Sequence, residues 1–430
     1  MEKKRYLLIL TVLSILLLRS SLSYAQSDST STIDTAKVLL VEGKYNKSID
    51  VLKIILSKDS ANAEAYFYLS LCFQNLSNYQ KAAEALTKAL VYEPGNINMM
   101  VSLGNDLFAS GRFSDAENIL LHALKLDSAN SMTLISLGKV LMRKHNWEKA
   151  LKIYNKLIKN VPNNSFFYEQ AAKCNSILKN IDNAIIDYQI AHRLNPQNEN
   201  TIIQLSNLYY SKKQFISAKR IVDDGLAVYP YSTEIWTMKG KIFLSLKKYS
   251  DAVVSYSNSI KYGDSSLTNF RDIGICYYCT GKYDSAIGFL KTAIKINPKD
   301  PASFYYLGTS DKGLNNNDTA VTYLSKAADL LKNDFLTEIY TQLASSYYSL
   351  KNYKEALNYY KDALRENPKK TEINFYIAAV YERLYRDKTV AMNYYNKFLA
   401  DSAKSDKKLV NYARHRLTAL KEDRFMNNNK

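Results

Sequence analysis

Residues 267–300 read LTNFRDIGICYYCTGKYDSAIGFLKTAIKINPKD, and this stretch recurs in outline along most of the chain. Its Ala286 belongs to a series of alanines that are spaced 34 residues apart: Ala82, Ala116, Ala150, Ala184, Ala218, Ala252, Ala286 and Ala320. Ser48 stands one step earlier, and Ala356 follows Ala320 after 36 residues. Such a period indicates a stack of similar helix pairs, because each pair meets its neighbours in the same way and needs a small residue where two helices cross closely.

Other residues recur in phase with the alanine, which we number position 20 of each repeat. Repeat 1 contains Ser48 and repeat 8 is residues 267–300. Position 17 is nearly always aromatic, and position 24 is large and apolar. Six of the seven prolines fall at position 32, where a residue without an N–H suits the turn from one helix into the next. Position 8 is glycine in five repeats: Gly104, Gly138, Gly240, Gly274 and Gly308.

This pattern resembles the tetratricopeptide repeat, and repeat 8 carries it in Phe270, Ile273, Gly274, Tyr277, Ala286, Leu290 and Pro298. The resemblance covers roughly residues 29–400. It implies an all-α fold, a right-handed α-solenoid of about eleven antiparallel helix pairs over residues 36–404. It also implies that the first helix of each pair lines a concave groove.

The N-terminal residues have the three parts of a secretory signal peptide. A basic start at residues 3–5 precedes an apolar run over residues 6–18, and Ser23-Tyr24-Ala25 forms a small-x-small cleavage site. We therefore expect residues 1–25 to be removed and the protein to be exported, to the periplasm or the extracellular space. The rival interpretation is an uncleaved membrane anchor, for which the apolar run is short, because a spanning helix needs about 20 apolar residues. No membrane span is expected after cleavage, and residues 26–35 are expected to be a flexible polar leader.

The C-terminal residues predict one further amphipathic helix over 405–424, which would cap the last repeat. Ser405 is its predicted N-cap. The predicted apolar stripe consists of Leu409, Tyr412, Ala413, Leu417 and Leu420. Residues 425–430 are expected to be a disordered tail.

The chain is basic, with a formal net charge of +17, and four basic residues and one acid within residues 1–25 leave +14 after cleavage. One interpretation is a lysine-rich solvated surface. The other is an anionic partner, such as an acidic protein segment. Nucleic acid is not expected as a partner, since the chain has no recognised nucleic-acid motif. The oligomeric state is left open.

The sequence gives little indication of catalysis or metal binding. Cys72, Cys174 and Cys276 share position 10, on the buried side of the first helix, and Cys279 has no second cysteine pair to complete a zinc site. We interpret the cysteines as buried free thiols. The histidines lie at unrelated repeat positions, and no glycine-rich phosphate loop is present. We therefore predict a protein that is not an enzyme and needs no cofactor or metal.

The predicted groove presents a candidate peptide-binding surface in repeats 3–7. Position 9 offers amide and ammonium donors to backbone carbonyls and carboxylates, and nearby rings suit apolar side chains. The position-9 donors of repeats 3–7 are Asn105, Lys139, Lys173, Asn207 and Lys241. Arg143 at position 13 of repeat 4 and Arg271 at position 5 of repeat 8 extend the same surface. The rings are Phe108, Tyr210 and Tyr278 at position 12 and Tyr305 at position 5 of repeat 9. The alternative is an ordinary solvated face.

These features predict an exported scaffold that binds partner polypeptides, as extended segments in the groove. The main alternative is an envelope-assembly or peptidoglycan-associated factor that acts by contact with the cell wall.

Overall fold

The computed structural model describes residues 32–331, 335–401 and 405–428. Within these ranges the chain forms 23 α-helices and no strand, so the all-α prediction is confirmed. The helices belong to two compact bodies that divide between Leu194 and Asn195. The predicted signal peptide, residues 1–25, and most of the predicted leader lie outside the described residues.

The N-terminal body contains five helix pairs, one for each of repeats 1–5. Its helices are α1 (Ile33–Val41), α2 (Tyr45–Lys58), α3 (Ala63–Asn75), α4 (Tyr79–Tyr92), α5 (Ile97–Ala109), α6 (Phe113–Leu126), α7 (Ser131–Arg143), α8 (Trp147–Asn160), α9 (Ser165–Ile177) and α10 (Ile181–Leu194). The hydroxyl of Thr32 caps α1 by accepting from the Thr35 N–H. The predicted flexible leader, residues 26–35, therefore extends too far towards the C-terminus. Thr32 is already the N-cap of the first helix, which begins at Ile33.

The C-terminal body contains six pairs and a final helix. Its helices are α11 (Glu199–Ser211), α12 (Phe215–Val228), α13 (Thr233–Ser245), α14 (Tyr249–Lys261), α15 (Leu267–Cys279), α16 (Tyr283–Ile296), α17 (Pro301–Gly313), α18 (Asn317–Leu330), α19 (Leu336–Ser349), α20 (Tyr353–Glu366), α21 (Ile373–Leu384), α22 (Thr389–Ala400) and α23 (Lys407–Asn428). In both bodies, sequential helices pack against each other.

The small residue at position 20 lies at a crowded crossing. Every alanine of the 34-residue series is fully buried. In repeat 1 the Ser48 hydroxyl donates to the Ala36 carbonyl oxygen at 2.8 Å, and the Cys72 thiol donates to Ser48 Oγ at 3.3 Å. Position 20 therefore contacts the first helix of its own repeat and the first helix of the next one, which explains why only a small side chain fits.

The turn inside each of the first ten repeats contains a residue with a left-handed backbone at position 15. In repeat 2 this residue is Ser77, with φ of 57°. The Ser77 N–H donates to the Gln74 carbonyl and the Asn78 N–H to the Phe73 carbonyl, which together form a Schellman motif. Only three of the ten residues are glycine; the others are Ser77, His145, Lys179, Lys213, Lys247, Asn315 and Lys351.

The final helix differs from its prediction at both ends. The Asp406 carboxylate caps it by accepting from the Lys408 N–H at 2.8 Å, so the predicted N-cap Ser405 is wrong. The helix extends to Asn428, into the segment 425–430 that was expected to be disordered. On the apolar face, Val410 is buried beside Ala413, Leu417 and Leu420, whereas Tyr412 is 57 % exposed. The buried stripe therefore keeps Ala413, Leu417 and Leu420, gains Val410 and leaves Tyr412 outside it.

Candidate functional site

Position 9 faces solvent on three successive first helices of the N-terminal body. Asn105 on α5, Lys139 on α7 and Lys173 on α9 are exposed, while the residues before and after each of them are buried. The buried neighbours fix the helix rotation, and this directs the position-9 side chains away from the core. Among the described residues, neither Lys139 nor Lys173 has a carboxylate partner within ion-pair distance. These ammonium groups are therefore available to a ligand.

The same position in the C-terminal body is partly covered. Asn207 on α11 is exposed, but Lys241 on α13 is half-buried. Repeats 9 and 10 depart further, since Thr309 is buried and Ser345 is small. The donor positions therefore share one side of their helices within each body, and their exposure is greater in the N-terminal body.

The two predicted arginines differ in their surroundings. Arg143 is exposed at the end of α7, and its guanidinium lies 5.9 Å from the centre of the Phe113 ring. Arg271 on α15 lies within 3.0 Å of the Asp272 carboxylate and 3.6 Å of the Asp300 carboxylate. Arg271 was predicted to extend the groove surface, and its two carboxylate partners make it less available to a ligand than Lys139 or Lys173.

The rings at position 12 have a structural role that the sequence analysis did not assign to them. Each packs against the aromatic residue at position 17 of its own repeat, across the turn between the two helices. The ring centres lie 5.5 Å apart for Phe108 and Phe113, and 6.0 Å apart for Tyr278 and Tyr283. Tyr210 packs in the same way and stays half-buried. The position-17 ring therefore covers part of the surface of each of these rings.

Tyr305 lies in the core, contrary to its predicted place on the groove. Its side chain is 7 % exposed, and its ring centre lies 5.1 Å from that of Tyr306 and 4.9 Å from that of Phe335. Phe335 belongs to the short insertion that precedes repeat 10. The step of 36 residues from Ala320 to Ala356, in place of 34, indicates this insertion in the sequence. An inserted residue such as Phe335 can cover Tyr305.

A charged network links α17, α19 and the loop before α21, and the sequence analysis missed it. Lys312 Nζ donates to Gln342 Oε1 at 2.7 Å, Gln342 Nε2 donates to Glu338 Oε1 at 2.9 Å, and Lys370 Nζ donates to Glu338 Oε2 at 2.8 Å. Burial opposes charge on Glu338, but the bonds from Lys370 and Gln342 hold its pKa below the ordinary value. Burial lowers the pKa of Lys312. These charges are satisfied within the chain, so the network supports packing between repeats 9 and 10.

The cysteines are free thiols, and three of them are buried as predicted. Burial raises the pKa of the Cys174 thiol to about 11, which keeps it protonated and unreactive. Cys279 is exposed, so its predicted burial is wrong. It ends α15 at position 13, where the helix leaves the core. No cluster of three or more candidate metal ligands occurs in the described part of the chain. The helices described there also include none long and apolar enough to cross a membrane.

Comparison with known families supports the repeat assignment. Models of the tetratricopeptide repeat match residues 63–96, 101–165 and 337–370. The chain therefore contains tetratricopeptide repeats, and the matched residues lie in both bodies. Such repeats generally mediate contacts between proteins.

Several known proteins are similar in sequence. A TPR repeat-containing protein of Methanocaldococcus jannaschii is 22 % identical over 428 residues, covering 82 % of this chain and 72 % of that protein. A DnaJ homolog subfamily C member 7 homolog of Dictyostelium discoideum is 26 % identical, covering 41 % of this chain and 36 % of its own length. The BBSome complex member BBS4 of Bos taurus is 24 % identical, and the match covers 55 % of this chain and 51 % of that protein. The chain thus spans about a third to a half of the latter two relatives.

Three solved structures show partial similarity, and two of them are described as tetratricopeptide repeat proteins. The Cut9 and Hcn1 tetramer of the APC/C gives a TM-score of 0.46 at 14 % identity, with 88 % of this chain and 95 % of that chain covered. A tetratricopeptide repeat protein from Parabacteroides merdae gives a TM-score of 0.42 at 17 % identity, and the match covers 58 % of this chain and 98 % of that chain. YrrB, described as a TPR protein with an unusual peptide-binding site, gives a TM-score of 0.38 at 19 % identity. The match covers 41 % of this chain and 91 % of that chain.

Proposed function

We propose that this protein is an exported scaffold that binds extended segments of partner polypeptides along the first helices of its repeats. The observation that carries the proposal is the set of exposed donors at position 9, above all Lys139 and Lys173. Their ammonium groups have no carboxylate partner among the described residues. An extended peptide presents carbonyl oxygens and carboxylates that such donors bind.

The charge of the protein supports an acidic partner. The mature chain would carry +14 if cleavage follows Ala25, since 17 less 3 is 14. A basic surface raises the rate of encounter with an acidic polypeptide and makes the interaction sensitive to salt. Export is supported by the charged, apolar and small-x-small parts of residues 1–25.

Site-specific crosslinking in intact cells tests the proposal. A photoreactive amino acid replaces Lys139 or Lys173 in the full chain, and a control carries it at Lys149, which is exposed on the second helix α8. We expect a defined polypeptide to be crosslinked at the first two sites and not at the third. Equal labelling at all three sites, or none at Lys139 and Lys173, contradicts the groove. Sedimentation of the protein with isolated cell-wall sacculi instead would favour the envelope-assembly alternative.

Export of the protein can be tested separately from partner binding. We expect the mature protein to begin at Gln26 and to be recovered outside the membrane fraction. N-terminal sequencing that finds residues 1–25 retained contradicts this part of the proposal.

A further inference from the structure

An aromatic cavity opens in the C-terminal body between α19, α21 and the first turns of α23. Its volume is about 510 Å³, within the range of roughly 300–1,000 Å³ that is usual for ligand sites. None of its residues belongs to the candidate site described above. The residues that line it are Ser345, Tyr348, Tyr360, Phe375, Tyr376, Ala379, Asp406, Lys408, Leu409 and Tyr412.

Two small residues at position 9 create the space. Repeats 3–7 place an asparagine or lysine there, whereas repeats 10 and 11 have Ser345 and Ala379. Both line the cavity and are half-buried. A longer side chain at either position would occupy the volume that is now open. The hollow thus follows from a local change in the repeat pattern.

Aromatic rings surround this space in several orientations. The Tyr360 and Tyr376 rings are stacked, with centres 5.5 Å apart and planes 10° apart. The Phe375 ring meets the Tyr412 ring edge to face, with centres 5.8 Å apart. Phe375 is 8 % exposed, but Tyr412 is 57 % exposed. The walls therefore offer both faces and edges to a further ring, which are the two arrangements that aromatic pairs prefer.

The polar groups of the cavity leave it without net charge. Burial raises the pKa of Tyr360, and a hydrogen bond with Ser345 only partly opposes this shift, so the phenol stays neutral. Asp406 and Lys408 are both exposed and carry opposite charges. A charged ligand group would meet both signs, so the lining favours a neutral one.

We propose that this cavity binds a neutral aromatic side chain of a partner polypeptide. The peptide backbone on either side of that residue would cross the rim, where the Asp406 carboxylate accepts from an N–H and the Lys408 ammonium donates to a carbonyl. A free aromatic hydrocarbon lacks both groups, so the paired charges favour a peptide. This inference rests on the proposed function, because it names a feature of the partner.

Purified full-length protein and synthetic peptides provide the test. The probe is acetyl-Gly-Gly-Trp-Gly-Gly-amide, and binding is followed by saturation-transfer NMR and titration. Matched peptides replace the tryptophan with lysine or glutamate, and free indole is measured alongside. We expect the tryptophan peptide to bind more tightly than the two charged peptides and than indole.

Two variants locate the binding. Ala379→Leu fills the cavity, and Tyr412→Ala removes its exposed ring. We expect each to weaken binding of the tryptophan peptide by roughly fivefold, Tyr412→Ala because one aromatic contact is lost and Ala379→Leu because the space for the ring is taken. The control Asn105→Leu introduces the same side chain at position 9 of repeat 3 and should leave binding unchanged. Circular dichroism confirms that each variant is folded.

The results of these binding experiments distinguish the proposed site from its alternatives. Equal binding of the tryptophan peptide by the Ala379→Leu and native proteins overturns the site. Binding of indole as tight as that of the peptide shows that the occupant is a free small molecule and overturns the peptide assignment. Because the probes are synthetic, a failure to crosslink a partner at Lys139 or Lys173 does not affect this test.

Discussion

Gly240 and Tyr256 meet so closely across the two helices of repeat 7 that a Cβ atom on Gly240 would lie 2.6 Å from the Tyr256 ring. The ring is fully buried, and its hydroxyl donates to Asp272 Oδ2 at 3.1 Å. Asp272 lies on the first helix of the next repeat. The glycine thus makes room for a side chain that joins two repeats.

Replacing Gly240 with alanine should therefore destabilise the protein. The new methyl group must displace a buried ring, and overpacking of this kind costs about 1–3 kcal/mol. Gly288→Ala is the matched control, because no atom lies within 4 Å of a Cβ at this helical position. It should raise the free energy of unfolding by about 0.5–1 kcal/mol through helix propensity. Urea denaturation measures the free energy of unfolding of both variants. A change in the same direction for Gly240→Ala and Gly288→Ala contradicts the packing argument.

The buried tyrosines Tyr154 and Tyr256 should respond oppositely to loss of the hydroxyl. Among the described residues, the Tyr154 hydroxyl has no hydrogen-bond partner, whereas that of Tyr256 binds Asp272. Tyr256→Phe should lower the free energy of unfolding by about 1 kcal/mol. Tyr154→Phe should leave it unchanged or raise it, since an unsatisfied buried group is removed. Thermal and urea unfolding of the two variants provide the comparison, and an equal loss in both would show that Tyr154 has a partner.

Glycine should be tolerated at Lys247, although it is unfavourable in helices. Lys247 has φ of 57°, a conformation that costs a non-glycine residue about 1–2 kcal/mol. Lys247→Gly should therefore leave the urea midpoint unchanged or raise it. Lys291→Gly, at an exposed position inside α16, should lower stability by about 1 kcal/mol. A comparable loss for the two variants would show that the left-handed turn carries no strain.

Asp106 should make stability depend on pH between about 4 and 6. Burial raises its pKa to about 6, although a hydrogen bond from Gln74 Nε2 at 2.9 Å partly opposes the shift. The folded protein therefore binds this proton more tightly than the unfolded chain. The resulting stabilisation is complete below the ordinary pKa of 3.8 and is lost as the pH rises through about 6.

Asp106→Asn removes that titration. Relative to the native protein, the variant should gain stability as the pH is raised from 4 to 7, because no carboxylate then has to ionise in a buried position. Urea midpoints of both proteins across this range give the difference. A difference that is constant with pH would show that Asp106 does not titrate as described.

The exposed donors at position 9 should affect binding rather than folding. The exposed Lys139 and Lys173 and the half-buried Lys241 are replaced together by alanine in one variant, and surface charges contribute about 0–1 kcal/mol each. Partner capture should weaken, and the residual binding should depend less on salt. The control replaces Lys53, Lys149 and Lys291, which are exposed on second helices. If both triple variants bind alike, position 9 is only a solvated surface.

The repeat architecture could be predicted because its signals are local and are repeated many times. Ala286 and Gly274 each have equivalents in other repeats, so the helix pairs and their buried crossings follow from the period alone. The left-handed turns were only partly predictable. Gly281 indicates one, but Lys213 and Lys247 adopt the same backbone because the hydrogen bonds of the Schellman motif compensate for the poor fit of a side chain.

The candidate site was less predictable because it depends on contacts between residues that are distant in sequence. Arg271 was predicted as part of the groove surface, and nothing in the sequence indicated that Asp300 lies beside it. Tyr305 is covered by Phe335, a residue that the period does not include. The aromatic cavity needs Tyr412 to approach Phe375, which a repeat position cannot reveal. Irregularities in the period mark such places but do not specify what they form.

The single exposed cysteine has a practical consequence. The chain has four cysteines, and Cys72, Cys174 and Cys276 are shielded, while Cys279 is accessible. A maleimide dye should therefore label the native protein at one site without any engineered substitution. That site is at position 13, the helical position that Arg143 occupies in repeat 4. The protein thus contains its own attachment point for a fluorescent reporter on the helices proposed to bind the partner.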